Sequence, residues 1–243
     1  MTFCIGIRID SGLIALADTQ IVRGEQVSSK AKLSMIAVGE HRLFLMTSGL
    51  RSVRDKAVSR LEDRLAAMPE PFNRAHQLAS AFGDALREVR AEDEATLVAG
   101  GLSFNLHAII GGRLRGDAGT CLFQVFPECN WISATQDSPY FVIGRSHFGK
   151  PILDRLLSHR TPLRTALALA YLAFDATRAS VVDVDFPIDV VADDGTGAGF
   201  RQHRFTAEDL AVARDGWHAE LERSLGAFPM DWADPLWRER AGE

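Results

Sequence analysis

The chain has 243 residues, 47% of them apolar, which is ample for a core in one large domain or two small ones. Its formal charge of −5, with Lys and Arg scattered among Asp and Glu, leaves no basic face to release phosphate counterions and argues against a nucleic-acid partner. The longest apolar run, 165–174, falls short of the roughly 20 residues that cross a bilayer, and no export signal leads the chain, so a cytoplasmic protein with no membrane partner is expected.

In chain order, Phe3 to Ile9 alternates with apolar odd positions, Asp10-Ser11-Gly12 is a turn, and Leu13 to Ala17 is apolar on both faces, which predicts a β-hairpin. A second antiparallel pair is expected over 33–38 and 42–47, bent around Gly39-Glu40. Helical spacing follows in Val53, Ala57, Leu61 and Leu65 and again in Leu78, Phe82, Leu86 and Val89, with Pro69 and Pro71 between the two helices. Strands resume over 106–111, 119–125, 131–134 and 140–143. Helices are expected over 151–158 and 162–178, the second with Thr161 as N-cap and Pro162 at its first position. Strands near 188–191 and 201–205 precede a last helix over about 206–225 and a tail carrying Trp232 and Trp237.

Hairpin connections imply antiparallel sheets, and strands apolar on both faces must be covered by a sheet on one side and helices on the other. The expected fold is therefore α+β, a four-layer α/β/β/α sandwich of two antiparallel sheets. With no linker, repeat or low-complexity segment, residues 1–243 are read as one domain, with 206–243 a C-terminal helix and tail. Cys4, Cys121 and Cys129 lack metal-type spacing and read as small core residues.

The first hairpin carries the functional signal. With its turn centred on Ser11, Asp18 lies opposite Cys4 and Thr2 opposite Gln20. Thr2 and Asp18 then share a face diagonally, roughly 7 to 8 Å apart at Cβ. Thr2 follows Met1, and aminopeptidases remove Met before a small residue. The exposed α-amine, with a reference pKa of about 7.7 to 8, is able to act as general base toward its own hydroxyl. A neighbouring ammonium favours the neutral amine; Lys32, at the start of the next strand, is the candidate, and Asp18 is placed to hold it. The strand end Met46-Thr47-Ser48-Gly49 offers backbone N–H groups for a developing oxyanion, with Gly49 permitting close approach.

Thr2, Asp18, Lys32-Leu33 and Ser48-Gly49-Leu50 together resemble the N-terminal segment of proteasome-type β-subunits, members of the N-terminal nucleophile hydrolases. Later segments resemble, more narrowly, the bacterial Anbu peptidases: Ile109-Ile-Gly-Gly112, the run 123–134, Pro139-Tyr-Phe, Gly149-Lys-Pro-Ile-Leu-Asp-Arg155, Asp175-Ala-Thr177, Pro187-Ile-Asp189 and the C-terminal helix with Trp217. The resemblance implies Thr2 as nucleophile, Asp18 and Lys32 as its electrostatic partners, and Gly49 as oxyanion donor. It adds Ser146 near the Thr2 amine, next to an Arg145 that stands where Anbu proteins usually carry an acid, and Ser180 and Asp183 as counterparts of a Ser and an Asp near the proteasomal N-terminus. It further implies a peptide or unfolded-protein substrate and homo-oligomeric rings or open spirals.

Each feature has a plainer reading. Asp18 could cap a loop, Lys32 could be a solvated edge charge, and Gly49 could simply end a strand. Gly144-Arg-Ser-His-Phe-Gly149 has one residue too many for a nucleophile elbow and reads as a loop entering a helix. Asp183-Val-Asp185, without His, reads as a turn or ion pair, so no metal and no cofactor is expected. Trp217, Trp232 and Trp237 either dock on the parent domain or mark an oligomer interface. Two other functions stay open: an assembly scaffold with negligible turnover, and an amidase acting on small amides.

Overall fold

Period-two alternation builds two five-stranded antiparallel sheets in the computed structural model, which describes residues 2–23, 26–197 and 199–237. The strands are β1 (Phe3–Ile9), β2 (Gly12–Asp18), β3 (Gln20–Arg23), β4 (Gln26–Ser29), β5 (Leu33–Val38), β6 (His41–Gly49), β7 (Leu106–Gly112), β8 (Cys121–Val125), β9 (Trp131–Ser133), β10 (Tyr140–Gly144), β11 (Ile188–Asp193) and β12 (Arg201–Phe205). The helices are α1 (Arg51–Ala67), α2 (Ala75–Ala99), α3 (Lys150–Leu156), α4 (Leu163–Arg178), α5 (Ala211–Gly226) and α6 (Asp234–Trp237). One sheet runs β10-β1-β2-β11-β12, the other β5-β6-β7-β8-β9, and β3-β4 forms a separate ribbon.

The two sheets face each other across an apolar layer that includes Cys4, Ala15 and Ala17 from the first sheet and Phe44, Met46, Ile109 and Leu122 from the second. On the outer face of the second sheet, Leu43, Leu45, Ile110 and Val125 meet Val53, Leu61, Leu78, Phe82 and Leu86 of α1 and α2. Phe3 of the first sheet packs its ring 6.2 Å from Phe174 of α4, so α4 covers that sheet's outer face. This is the four-layer α/β/β/α sandwich expected from strands apolar on both faces.

The first hairpin turns one residue earlier than expected. Ile9 pairs with Gly12 and Cys4 with Ala17, so the turn is Asp10-Ser11 and Asp18 does not lie opposite Cys4. Extending that register one step sets Asp18 in line with Phe3, out of phase with Thr2; the diagonal Thr2–Asp18 placement is overturned, because a two-residue turn shifts every partner. At α4, the N-cap is Pro162 with no side-chain bond, and Thr161 instead accepts the Ser158 amide N–H at 2.9 Å. The start of α2 is fixed by Gln77, whose side-chain oxygen accepts the amide N–H groups of Asn73 and Arg74 at 3.0 and 2.9 Å. The β3-β4 ribbon and the extension of α2 to Ala99 were not anticipated from the sequence.

The chain divides into two compact units, one through Thr206 and one from Ala207 onwards. The second contains α5, a 3₁₀ turn over Asp231–Ala233 and α6. It starts its main helix at Ala211 rather than near 206. None of the residues of α5 is buried, and Val212, Leu225, Trp232 and Trp237 are exposed.

Candidate active site

Four of the residues expected to act together sit where strands end at one edge of the sandwich. Thr2 precedes β1, Asp18 closes β2, Lys32 precedes β5 and Gly49 closes β6. Thr2 is buried, and its carbonyl accepts the Arg145 amide N–H at 2.7 Å, continuing the β1–β10 ladder in which Phe3 faces Gly144. Asp18 is fully buried and reaches the residue after Thr2 instead of a facing side chain: the Phe3 amide N–H donates to its Oδ1 at 2.8 Å. Its other oxygen, Oδ2, takes Lys32 Nζ at 2.6 Å. Thr2, Phe3, Asp18 and Lys32 are thus one connected chain. Burial pushes the Asp18 carboxyl above the usual range, while the Lys32 charge, its hydrogen bond and the amides of Phe3 and Gln20 pull it back.

Two glycines are required by the close packing here. Gly144 has φ +87°, and a Cβ there would stand 1.9 Å from the Thr2 carbonyl oxygen. Gly49 has φ +140°, and its Cβ would meet the Asn105 oxygen at 2.1 Å. Lys32 is positioned by the segment before it. The Lys30 amide N–H donates to the Thr19 carbonyl at 2.8 Å, Ser29 donates to the Thr19 hydroxyl at 2.8 Å, and that hydroxyl donates to the Pro187 carbonyl at 2.8 Å. Thr19 and Ser29 escaped the sequence reading because hydroxyls beside a turn carry no distinctive spacing.

A cavity of about 430 Å³ joins the group: Thr2, Lys32, Ser48 and Gly49 all line it. Ala31, between Lys30 and Lys32, lines it as well. Leu45 lies in the core under α1 and α2, and Gln20 donates to the Val182 carbonyl at 2.8 Å. A larger cavity of about 510 Å³ lies at the hairpin-turn edge around His41, Arg113 and Asp193, with none of the predicted site residues in its lining.

The remaining candidates lie on connections. Ser146 is half-buried in the turn from β10 into α3, its amide N–H on the Gly144 carbonyl at 3.0 Å. Ser180 is exposed after α4 and gives its hydroxyl to the Ala176 carbonyl at 2.8 Å. Asp183 is held by the Arg145 guanidinium, with Nε at 3.3 Å and Nη2 at 3.0 Å. Burial would raise the Asp183 carboxyl, but the Arg145 hydrogen bond and charge help to hold it below the usual range. Arg145 thus ties Asp183 to Thr2, through its side chain on one and its amide on the other. Asp185 accepts the Phe186 amide N–H at 2.9 Å, and among the described residues no His, Cys, Asp and Glu cluster could hold a metal. All three cysteines are free thiols; burial pushes Cys4 up, and Cys121 up to about 11, so neither is poised as a thiolate nucleophile.

No family model and no curated protein matches the sequence. Solved structures do. Anbu, an ancestral β-subunit, from Yersinia bercovieri is 32% identical over 93% of this chain and 98% of its own, with a TM-score of 0.82. The chain belongs to the Anbu family. Anbu from Hyphomicrobium sp. strain MC1 is 29% identical over 93% of this chain and 98% of its own at TM-score 0.83. The helical assembly of the Anbu complex from Pseudomonas aeruginosa gives 27% identity over 93% and 97%, at TM-score 0.85. The sandwich is accordingly the proteasome-like, N-terminal nucleophile fold, and in this Anbu chain the strand-end cluster lies beside Thr2. No described helix is long and apolar enough to cross a membrane.

Proposed function

We propose that the chain is an N-terminal threonine peptidase, activated by removal of Met1 and acting as a homo-oligomer in the cytoplasm. The observation that carries this reading is the continuous link from the Phe3 amide through Asp18 to Lys32, set next to Thr2 at a cavity. In this reading Thr2 Oγ attacks a peptide carbonyl while the freed Thr2 amine takes the hydroxyl proton. The Gly49 N–H donates to the tetrahedral oxyanion, the amine returns the proton to the leaving amine, and water hydrolyses the resulting ester. Lys32, held by Asp18, sets a positive field that favours the neutral amine. Ser146, Ser180 and Asp183 are assigned supporting roles around that amine, with Asp183 acting through Arg145.

Assembly is supported by the helical complex of the Pseudomonas aeruginosa relative and by the exposed Leu225, Trp232 and Trp237 of the second unit. The test is intact mass combined with covalent labelling of the assembled protein by an electrophile that needs both a hydroxyl and an α-amine. Loss of Met1, one adduct per chain, and no adduct or hydrolysis in Thr2→Ala support the reading. Met1 retained on every molecule, or activity surviving in Thr2→Ala, overturns it. Turnover confined to small amides transfers the same chemistry to an amidase.

A further inference from the structure

The cavity at Thr2 has an uneven charge. Its apolar wall includes Ile21, Val22 and Leu106, and among the described residues that line it the charged side chains are Lys30, Lys32, Arg51 and Arg54, with no aspartate or glutamate. Lys32 is committed to Asp18. Arg51 and Arg54 share a single carboxylate, Asp55, at 3.2 and 2.8 Å, and Asp55 lies outside the lining. Two guanidiniums against one acid, with Lys30 beside them, leave a positive surplus. The first turn of α1 borders the same cavity through Leu50 and Arg51; it contains no acid and its N-cap makes no side-chain bond, so the positive end of the helix dipole adds to the effect. In a chain of formal charge −5, this cavity concentrates the opposite sign.

We infer that the cavity receives an acidic side chain: that of the aspartate or glutamate on the acyl side of the scissile bond. This rests on the reading of Thr2 as nucleophile, since it is Thr2 that turns a binding cavity into the seat of the residue being cleaved. The methylenes of the guest lie along Ile21, Val22 and Leu106, and its carboxylate meets the Arg51, Arg54 and Lys30 charges. A basic side chain is repelled, and a plain apolar one leaves the surplus positive charge unmatched.

Binding and turnover test the two layers separately. Short blocked peptides ending in Glu, Leu or Arg, otherwise identical, are titrated into the assembled Thr2→Ala protein. The Glu peptide is expected to bind at least tenfold more tightly than either other, and to lose that advantage as salt rises from low to high. In a protein that also carries Arg51→Glu and Arg54→Glu the order reverses toward the Arg peptide. If that protein unfolds, Arg51→Gln with Arg54→Gln is expected to erase the preference. Equal binding of the three, or tightest binding of Leu or Arg, overturns the inference. Matched fluorogenic substrates on the Met1-free wild type complete the test: a tenfold or greater advantage in kcat/KM for the Glu substrate supports it. Turnover favouring Leu or Arg overturns it and leaves the peptidase reading intact. Glu-selective binding with no turnover of any substrate supports the acidic-ligand cavity and removes the peptidase reading alone.

Discussion

The candidate site has a strand-borne half and a loop-borne half, and the two are built differently. Thr2, Asp18, Lys32 and Gly49 lie at strand ends, where ladder hydrogen bonds fix the backbone before any side chain is chosen. There Asp18 is fully buried and the Lys32 side chain is 9% exposed, so their ion pair has little water to compete with it. Ser146, Ser180 and Asp183 lie on the links from β10 to α3 and from α4 to β11, half-buried or exposed, and bond with what is locally at hand. The strand half owes its arrangement to the fold as a whole; the loop half owes its arrangement to neighbours such as Arg145.

The strongest way to probe that contrast is Lys32→Met. It strands a fully buried carboxylate, and breaking such a pair from one side costs about 3 to 5 kcal/mol. Activity is expected to fall at least a hundredfold, and the chemical-denaturation midpoint to drop sharply. The deficit depends on pH with a sign that can be worked out. Without Lys32, burial is opposed only by the amide hydrogen bonds, so the folded Asp18 carboxyl lies further above its unfolded value. A raised carboxyl binds its proton more tightly when folded, so stability is lost as pH rises from the unfolded to the folded pKa. Unfolding titrations at several pH values should therefore show the variant least impaired at the acid end; a pH-independent deficit would mean Asp18 is not what Lys32 stabilises. Next in size is Gly144→Ala. The new Cβ runs into the Thr2 carbonyl and demands φ +87° of an alanine, a strain of order 1 to 3 kcal/mol that is relieved only by moving the Thr2 backbone. Loss of labelling at Thr2 with a folded circular-dichroism spectrum is the expected outcome.

The same contrast explains how much was readable beforehand. The alternating β1 run and the β2 run, apolar on both faces, were enough to require sheets with cover on each side, and the sandwich followed. The register of that hairpin was not legible, because Asp10-Ser11-Gly12 is compatible with a turn of two residues or of three, and the difference moves Asp18 from Cys4 to the neighbourhood of Phe3. Asp18 still reaches the start of the chain, by an amide instead of a shared face, so the grouping with Lys32 survives a wrong geometric step. The β3-β4 ribbon was missed because it forms outside the two sheets and Gln20, Gln26, Ser28 and Ser29 supply no apolar alternation. The Arg145–Asp183 pair was invisible for another reason: its members are 38 positions apart, on links whose paths only the packed sandwich defines.

On the loop half the expected effects are smaller. The Arg145 side chain is 35% exposed, so its pair with Asp183 contributes only about 0 to 1 kcal/mol, and Asp183→Asn should scarcely move the melting temperature. Because the Asp183 carboxyl is held below the usual range, whatever stability the pair gives is present above the unfolded pKa and fades as pH falls through the folded one. Its kinetic effect should be a shift in the pH profile of kcat/KM, since freeing Arg145 alters the charge around the Thr2 amine; an unmoved profile would confine Asp183 to a structural role. Ser180→Ala should change least. Its exposed hydroxyl is already engaged by the Ala176 carbonyl, and an exposed substitution of this kind stays within about 0.5 kcal/mol. If Ser180 takes part in proton transfer at Thr2 it must leave that carbonyl during turnover, and kcat would fall at least tenfold while substrate binding held. A kcat equal to wild type, measured beside a normal labelling rate, instead makes Ser180 the closing bond of α4 and leaves proton transfer to the strand-borne half.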